Sequence, residues 1–415
     1  MNFSKYKVDA NLNSEDVYYG LPKEIKFCKK CVISNQRPNS TLEYLHNIES
    51  KKETIHFDNE GICDACRVSE RKDTEIDWDK REKELINLCD KYRRDDGYYD
   101  CIIPGSGGKD SVKASWILKY KYGMHPLTIT WAPHLYTDVG WSNFQKWVHL
   151  GFDNILFHPN GRVHRLLTRL AFDNLLHPFQ PFILGQKNIG ARFAALYNIP
   201  LVFYGENEAE YGNPMEDVMS PLRAAKYASG SDYGNMYLGG VNVLKILKKF
   251  DLEIVDLYPY LPIDPELYKK KQIKVHYLGY YIKWDPQESY YFAVEKSGFK
   301  ANCERTEGTY SKYNSIDDKT DPYHYYTTYI KFGIGRASYD ASQEIRNHKI
   351  TREEGIALVK KYDHELPTKY LAEFLEYMDM TKEHFFKTID KFRSPHIWKR
   401  ENGHWKLRKA VYDEH

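Results

Sequence analysis

No stretch of this 415-residue chain approaches the run of about 18 apolar residues that a membrane-crossing helix requires. The opening segment MNFSKYKVDANLNSED has no apolar core, so no secretory signal is expected. Charge of one sign is also lacking. Sixty basic residues stand against 58 acidic ones, a net charge of +2, which excludes the global electrostatic footprint of a nucleic-acid binder. There is no internal repeat, no low-complexity tract, and no H-E-x-x-H pattern among the sixteen histidines, which read as surface or packing residues. Cysteine is sparse, at seven. Four of the seven fall in two C-x-x-C pairs, the usage expected of metal ligands in a reducing cytoplasm rather than of a disulfide frame.

What the chain does have is a short apolar strand pattern running into CIIPGSGGKDS, residues 101–111. Gly105, Ser106, Gly107 and Gly108 form a tight turn, and Ser111 opens a helical pattern carried by Val112, Trp116, Ile117 and Tyr120. Strand, glycine turn and helix N-terminus together aim backbone N–H groups at an anion. The nucleotide-hydrolysis form of this device, G-x-x-x-x-G-K-[ST], fails twice here. Ile103 occupies the first glycine position, and Asp110 follows Lys109. The alternative S-G-G-x-D-S is met in full by Ser106, Gly107, Gly108, Asp110 and Ser111. It resembles the pyrophosphate loop of the N-type ATP pyrophosphatases, which hold the β and γ phosphates as leaving group and transfer AMP.

Between residues 98 and 259 apolar runs alternate with helical patterns. Strands are expected at DCIIP, LTITW (127–131), NILFH (154–158), LVFYG (201–205) and LEIVDLY (252–258), with helices at 111–121, 141–150, up to 178, and 187–197. This predicts an α/β fold with a parallel five-stranded sheet covered by helices on both faces, ligands lying at the strands' carboxyl ends. Residues 1–75 read as an arm (1–26) and a cysteine module, 76–265 as the nucleotide domain, and 266–415 as a mostly helical domain that closes over the site. A capping box is expected at Thr351, followed by two helical patterns over 351–392.

Cys28, Cys31, Cys63 and Cys66 can present four thiolates at the corners of a tetrahedron, which suits a structural zinc; an iron–sulfur cluster and redox dithiols are the rival readings. Cys89, Cys101 and Cys303 are unpaired and expected to pack. YGENEAEYG (204–212) crowds Glu206, Glu208 and Glu210 at the same sheet edge, where hard carboxylates suit Mg²⁺. LGQKNIGARF offers Gln186, Lys187 and Arg192, and YIKFGIGRASYDASQEIRN gathers Lys331, Arg336 and Asp340, cations that can steady developing charge.

The segments FCKKCVISNQRPN, FDNEGICDACR, PGSGGKDS, GQKNIGARFA, YGENEAEYG, LGYYIKWDP and KFGIGRASYDASQEIRNHKITREE resemble the N-acetyl sugar amidotransferases of bacterial surface-polysaccharide and flagellin-glycan synthesis. The resemblance runs from 27 to about 355, with a longer insert between the cysteine pairs. It implies an adenine nucleotide alpha hydrolase-like fold and conversion of a sugar acetamido group to acetamidino, with AMP and pyrophosphate released. It implies ATP and Mg²⁺ as cofactors beside the structural zinc, and a cytoplasmic setting. Nucleotide contacts are expected from Gly105, Ser106, Gly107, Gly108, Lys109, Asp110, Ser111, Trp131, Gln186, Glu206, Asn207 and Glu208, and catalytic roles for Lys109, Asp110, Lys331 and Arg336. The chain shows no glutaminase cysteine, since position 2 is Asn2. The resemblance implies a separate glutaminase with a cyclase-like partner as the ammonia source. The substrate is expected to be an N-acetylated sugar, free or nucleotide-activated; nucleic acid is not expected as a partner. A tRNA thiolase and a non-catalytic nucleotide-binding scaffold are the rival functions.

Overall fold

The computed structural model of the chain describes residues 15–206, 213 and 220–413. Its centre is a five-stranded parallel sheet of β1 (Cys101–Pro104), β2 (Pro126–Trp131), β3 (Asp153–Phe157), β4 (Leu201–Tyr204) and β5 (Lys274–Tyr277), in the order β3-β2-β1-β4-β5. Each pair is parallel, with Ile103 opposite Thr128, Ile129 opposite Ile155 and Val202 opposite Val275. The strands are short, and the inner ones, β1, β2 and β4, are buried on both faces, so their residues alternate between two cores. Ile102, Ile129 and Val202 pack with helices α5 (Gly161–Leu175) and α6 (Gln180–Tyr197). Cys101, Ile103, Leu201 and Phe203 pack on the other side with Leu85 and Cys89 of α2 (Trp78–Tyr92) and Ala114 of α3 (Lys109–Trp116).

The fifth strand is not the one the sequence pattern picked. Within 252–258, Glu253 and Asp256 form a reciprocal capping box that starts a helical turn at Ile254–Leu257, followed by a tighter turn through Tyr260. Leu257 is buried while Ile254 and Val255 are exposed. The apolar–acidic alternation that mimics a strand is thus a capped helix end. KVHY takes the edge place instead, so the sheet continues past residue 265, the boundary expected for the nucleotide domain.

The arm from residue 15 packs down, with Tyr19 and Leu21 buried and the Tyr19 hydroxyl donating to the Phe392 carbonyl at 2.7 Å. After β5 the chain is mainly helical. α7 (Pro286–Ser297) lies on α3, and α8 (Asp321–Phe332), α9 (Arg336–Arg346) and α10 (Arg352–Tyr362) follow, with the expected capping box at Thr351 in place. Three helices rather than two occupy 351–392, the others being Leu371–Tyr377 and Lys382–Lys391. A hairpin, Trp398–Glu401 with His404–Leu407, ends this region.

Trp131, expected to touch nucleotide, is 4 % exposed and belongs to the core. Its indole lies 5.3 Å from the Phe157 ring and 5.6 Å from Tyr260, and α6 approaches it at Gly185, where a Cβ would collide with the ring. Arg192 is likewise structural, donating to the carbonyls of Tyr258 and Leu261 at 2.7 Å each. Gly185→Ala is expected to lower stability by about 1–3 kcal/mol despite alanine's better helix propensity, because overpacking outweighs that gain. Thermal denaturation of the variant checks this, and an unchanged or raised Tm would refute the packing account.

Candidate functional site

The strand order reverses between β1 and β4, which diverging connections leave as a crevice at the carboxyl ends of those two strands. The glycine loop leaves β1 there, and Gly205-Glu206 leave β4 beside it. In the loop, Gly107 has φ +82°, and a Cβ on it would strike the Phe144 backbone of α4 (Asp138–Val148). Ser111 Oγ accepts from the Ser106 N–H at 3.1 Å, drawing the loop shut, which gives Ser111 and Gly105 a shaping role behind the surface. α3 begins at Lys109 with no side chain capping its first turn, so its N–H groups face the crevice.

Crevice and C-terminal region enclose a cavity of about 680 Å³, within the range that holds a ligand of nucleotide size or more. Ser106, Gly107, Gly108, Lys109, Asp110, Gln186, Glu206, Lys331 and Arg336 all line it. Trp131 does not. Asn207, Glu208 and Glu210 lie outside the described residues.

Each charged wall group has a definable state. Lys109 Nζ pairs with Asp110. Burial works against the Lys109 ammonium, but Asp110 and Glu206 outweigh it and hold its pKa above the ordinary lysine range. Asp110 also accepts at 3.1 Å from the indole N–H of Trp284, a buried residue whose carbonyl takes a bond from Lys72 of α1 (Asp64–Thr74). Arg336 pairs with Asp340 at 2.9 Å and lies over the Tyr325 ring at 4.2 Å. Lys331 is 4 % exposed and donates to the Leu175 carbonyl at 2.7 Å. Burial first, then neighbouring Lys52, push its pKa well below the ordinary lysine value, with Glu43 opposing.

Several wall residues were not singled out by the sequence reading. Asp317, Asp318 and Asp321, from the acidic stretch inside the aromatic segment, line the cavity. Burial raises Asp321 to about 7 against the pull of Arg336, and burial and Asp318 raise Asp317. Asp318 is tied down by the His134 backbone N–H at 2.7 Å. The cysteine module supplies Arg37, Glu43, His46 and Lys52. His177 and His324 stack with rings 5.4 Å apart, and His46 lies 6.4 Å from His177. Burial drives His46 down to about 3 and lowers His177, so both are neutral at pH 7. Three of the histidines, most of which read from the sequence as surface or packing residues, thus line the cavity together. Their only sequence signal was their number.

In the module, the four cysteines are buried and their Sγ atoms lie within 4.8 Å of one another. Cys28–Cys66 and Cys31–Cys63 are 3.8 Å apart. A tetrahedron with metal–sulfur bonds of about 2.3 Å has edges of roughly 3.8 Å, so the quartet fits one metal ion. The backbone N–H groups of Cys31 and Cys63 both point at Cys28 Sγ, at 3.5 and 3.3 Å, which stabilises a thiolate there. Arg352 donates to the Cys28 and Cys31 carbonyls, fixing the module to α10. Of the other cysteines, Cys89 and Cys101 pack as expected, whereas Cys303 is exposed; none of the three lines the cavity.

Comparison with known proteins agrees in part. Residues 307–412 match the family described as LPS biosynthesis protein WbpG-like, C-terminal domain, roughly a quarter of the chain. An uncharacterized protein of Methanocaldococcus jannaschii, MJ1599, is 32% identical over 85 residues, which are 20% of this chain and 30% of that protein. The chain thus spans under a third of that relative's length. Among solved structures, the NH3-dependent NAD synthetase of Campylobacter jejuni aligns with TM-score 0.27 and 15% identity, over 48% of this chain and 93% of that one. The U34-tRNA thiolase NcsA of Methanococcus maripaludis, solved with its [4Fe-4S] cluster, aligns with TM-score 0.29 and 11% identity, over 78% and 89%.

Elemental analysis of the purified chain is expected to find one metal ion per molecule. Cys63→Ser should abolish that stoichiometry and lower the Tm, because the metal would tie together two cysteine pairs far apart in the chain; a metal-free chain of undiminished stability would contradict the assignment.

Proposed function

We propose that the chain is an ATP-dependent, AMP-forming amidotransferase that converts a sugar acetamido group to acetamidino in bacterial surface-glycan synthesis. The observation that carries this is the pairing of an S-G-G-x-D-S loop and the β4 loop at the switch point of a parallel sheet, both opening into one large cavity. The match of residues 307–412 to a lipopolysaccharide-biosynthesis domain supports the choice of a glycan pathway, since that region builds the cavity's far wall.

An amide oxygen is a poor leaving group. Its attack on the α-phosphorus of ATP breaks the bond to pyrophosphate, which the α3 N-terminus and Lys109 receive. Ammonia then adds at the activated carbon, loses a proton, and AMP departs carrying the former amide oxygen. Asp110 and Glu206 are the carboxylates suited to hold Mg²⁺ against the phosphates. Arg336, its charge secured by Asp340, is suited to stabilise anionic charge during transfer. Lys331, whose burial disfavours the ammonium form, and the part-protonated Asp321 are the wall groups suited to accept the proton that ammonia sheds. The metal of the cysteine module is read as zinc in a closed, structural site, because four thiolates leave no open position.

Chromatography should find AMP and pyrophosphate, not ADP and phosphate, formed in step with an amidino product whose mass reflects exchange of O for NH. Asp110→Ala should cut kcat by about 10²–10³-fold, as loss of a key electrostatic group does; stoichiometric ADP would sink the mechanism. A further outcome concerns nitrogen. The isolated chain should use ammonium, increasingly as alkaline pH raises the NH₃ fraction, and glutamine only when a glutaminase partner is added. Efficient glutamine use by the chain alone would refute that division. Optical spectra should lack the visible absorption of an iron–sulfur cluster.

A further inference from the structure

One wall of the cavity carries donors that the protein itself leaves without acceptors. Arg37 is 8 % exposed, lines the cavity and forms no ion pair among the described residues. Its Nη1 has no hydrogen-bond partner. A guanidinium keeps its charge in any protein setting, and burying one without an anion costs several kcal/mol. Across from it, α9 turns the stripe Tyr339, Ser342, Gln343 and Arg346 to the cavity, positions spaced by three and four residues and so on one helix face. Ser342 is 1 % exposed and its Oγ also lacks a partner. The Arg37 guanidinium lies 5.9 Å from the centre of the Tyr339 ring. Burial opposes the Arg37 charge, Tyr339 supports it, Arg346 is a like charge near enough to oppose it again, and Cys63 and Cys31 support it more weakly. Two guanidinium groups and a spare hydroxyl lining one space form a receptor for an oxyanion.

We infer that Arg37 and the Ser342–Arg346 face of α9 form a second anion-binding subsite in the cavity, separate from the glycine loop, which holds an anionic substituent of the sugar substrate. This rests on the amidotransferase reading above and narrows it. The substrate bears a phosphate, as in a nucleotide-activated sugar, or a carboxylate, as in a sugar acid, and neutral N-acetyl sugars are excluded. The planar guanidinium fork suits both oxyanions, so the probes must tell them apart.

The test is calorimetric titration of the full-length, metal-replete chain with the glycine loop filled by saturating α,β-methylene-ATP. Three probes are compared: UDP-N-acetylglucosamine, N-acetylneuraminate and N-acetylglucosamine. At least one charged probe should bind about tenfold or more tighter than the neutral sugar, and which one binds identifies the anion. Arg37→Ala should weaken that probe by about tenfold or more, and Ser342→Ala severalfold, with the affinity for α,β-methylene-ATP and the metal content unchanged. Arg37→Lys, which keeps charge but loses the fork, should fall between wild type and Arg37→Ala. If Arg37→Ala does not fold, as judged by circular dichroism, Ser342→Ala and Arg37→Lys decide the matter. Equal binding of neutral and charged probes, no binding of either charged probe, or affinities indifferent to these variants would overturn the subsite. So would loss of metal from Arg37→Ala with probe affinity retained, which would make Arg37 a support of the cysteine module. The subsite and the reaction fail separately. Charged probes bound through Arg37 by a chain that makes ADP would keep the subsite and reject the chemistry. Amidine formation with binding indifferent to Arg37 would do the reverse.

Discussion

Four sulfur atoms crowded within 4.8 Å of one another impose the constraint on which the site depends. Thiolates at that spacing repel strongly unless a cation lies among them, and they form the centre of a buried apolar cluster with Ile25, Ile33, Ile55 and Ala65. The module's attachments run outward from the quartet. Arg352 grips the carbonyls of Cys28 and Cys31, Ser69 bonds the Arg346 carbonyl, and Gln180 bonds the Glu43 carbonyl. The module is therefore wedged between the α/β core and the helical region. Arg37, Glu43, His46 and Lys52 reach the cavity only because the wedge is rigid. A metal held by the quartet would act on the shape of the cavity, through the residues strung between its two ligand pairs.

The cavity divides its labour by electrostatic character. At the β1 end, backbone N–H groups and Lys109 make a surface for phosphate, and the carboxylates beside it suit a hard cation. Along α8 and α9, buried acids and bases have their proton affinities moved toward neutrality, as Asp321 and Lys331 show in opposite directions from the same cause, desolvation. On the proposed reaction, phosphate contacts and proton-accepting groups would thus occupy different walls, which suits an adenylation step followed by a nitrogen addition.

How much of this was legible in the chain varies with the range of the signal. The glycine loop, the first four strands and the cysteine quartet are local patterns, and each stands where the sequence put it. Residues 252–258 misled because apolar–acidic alternation over seven residues serves equally for a strand and for a helix turn capped by Glu253 and Asp256. The edge strand KVHY was too short and too polar to declare itself. Trp131 was misjudged for a different reason: an aromatic residue at a strand's carboxyl end can face ligand or core, and the close approach of Gly185 decides for core. Asp317, Asp321, His177 and His324 had no local signature because their importance comes from which distant elements meet. Arg37 was legible as a residue of a quoted segment but not as an unpaired donor, since the absence of a partner is a property of three dimensions.

The cavity's walls come from residues 33–65, 106–143, 176–206 and 299–346, so no wall touches another through near neighbours in the chain. Contacts of such long sequence separation carry the largest loop-closure entropy and form late in folding. On the ribosome, the glycine loop and the β4 loop would emerge and settle into their sheet well before α9 exists to face them. Until then the crevice is a shallow groove open to water, where an adenylated intermediate would be hydrolysed as readily as it formed. On the proposed reaction, completion of the last helices is what turns a phosphate-binding groove into a sheltered reaction chamber, so a partly made chain that binds nucleotide could not yet shield an activated intermediate from water.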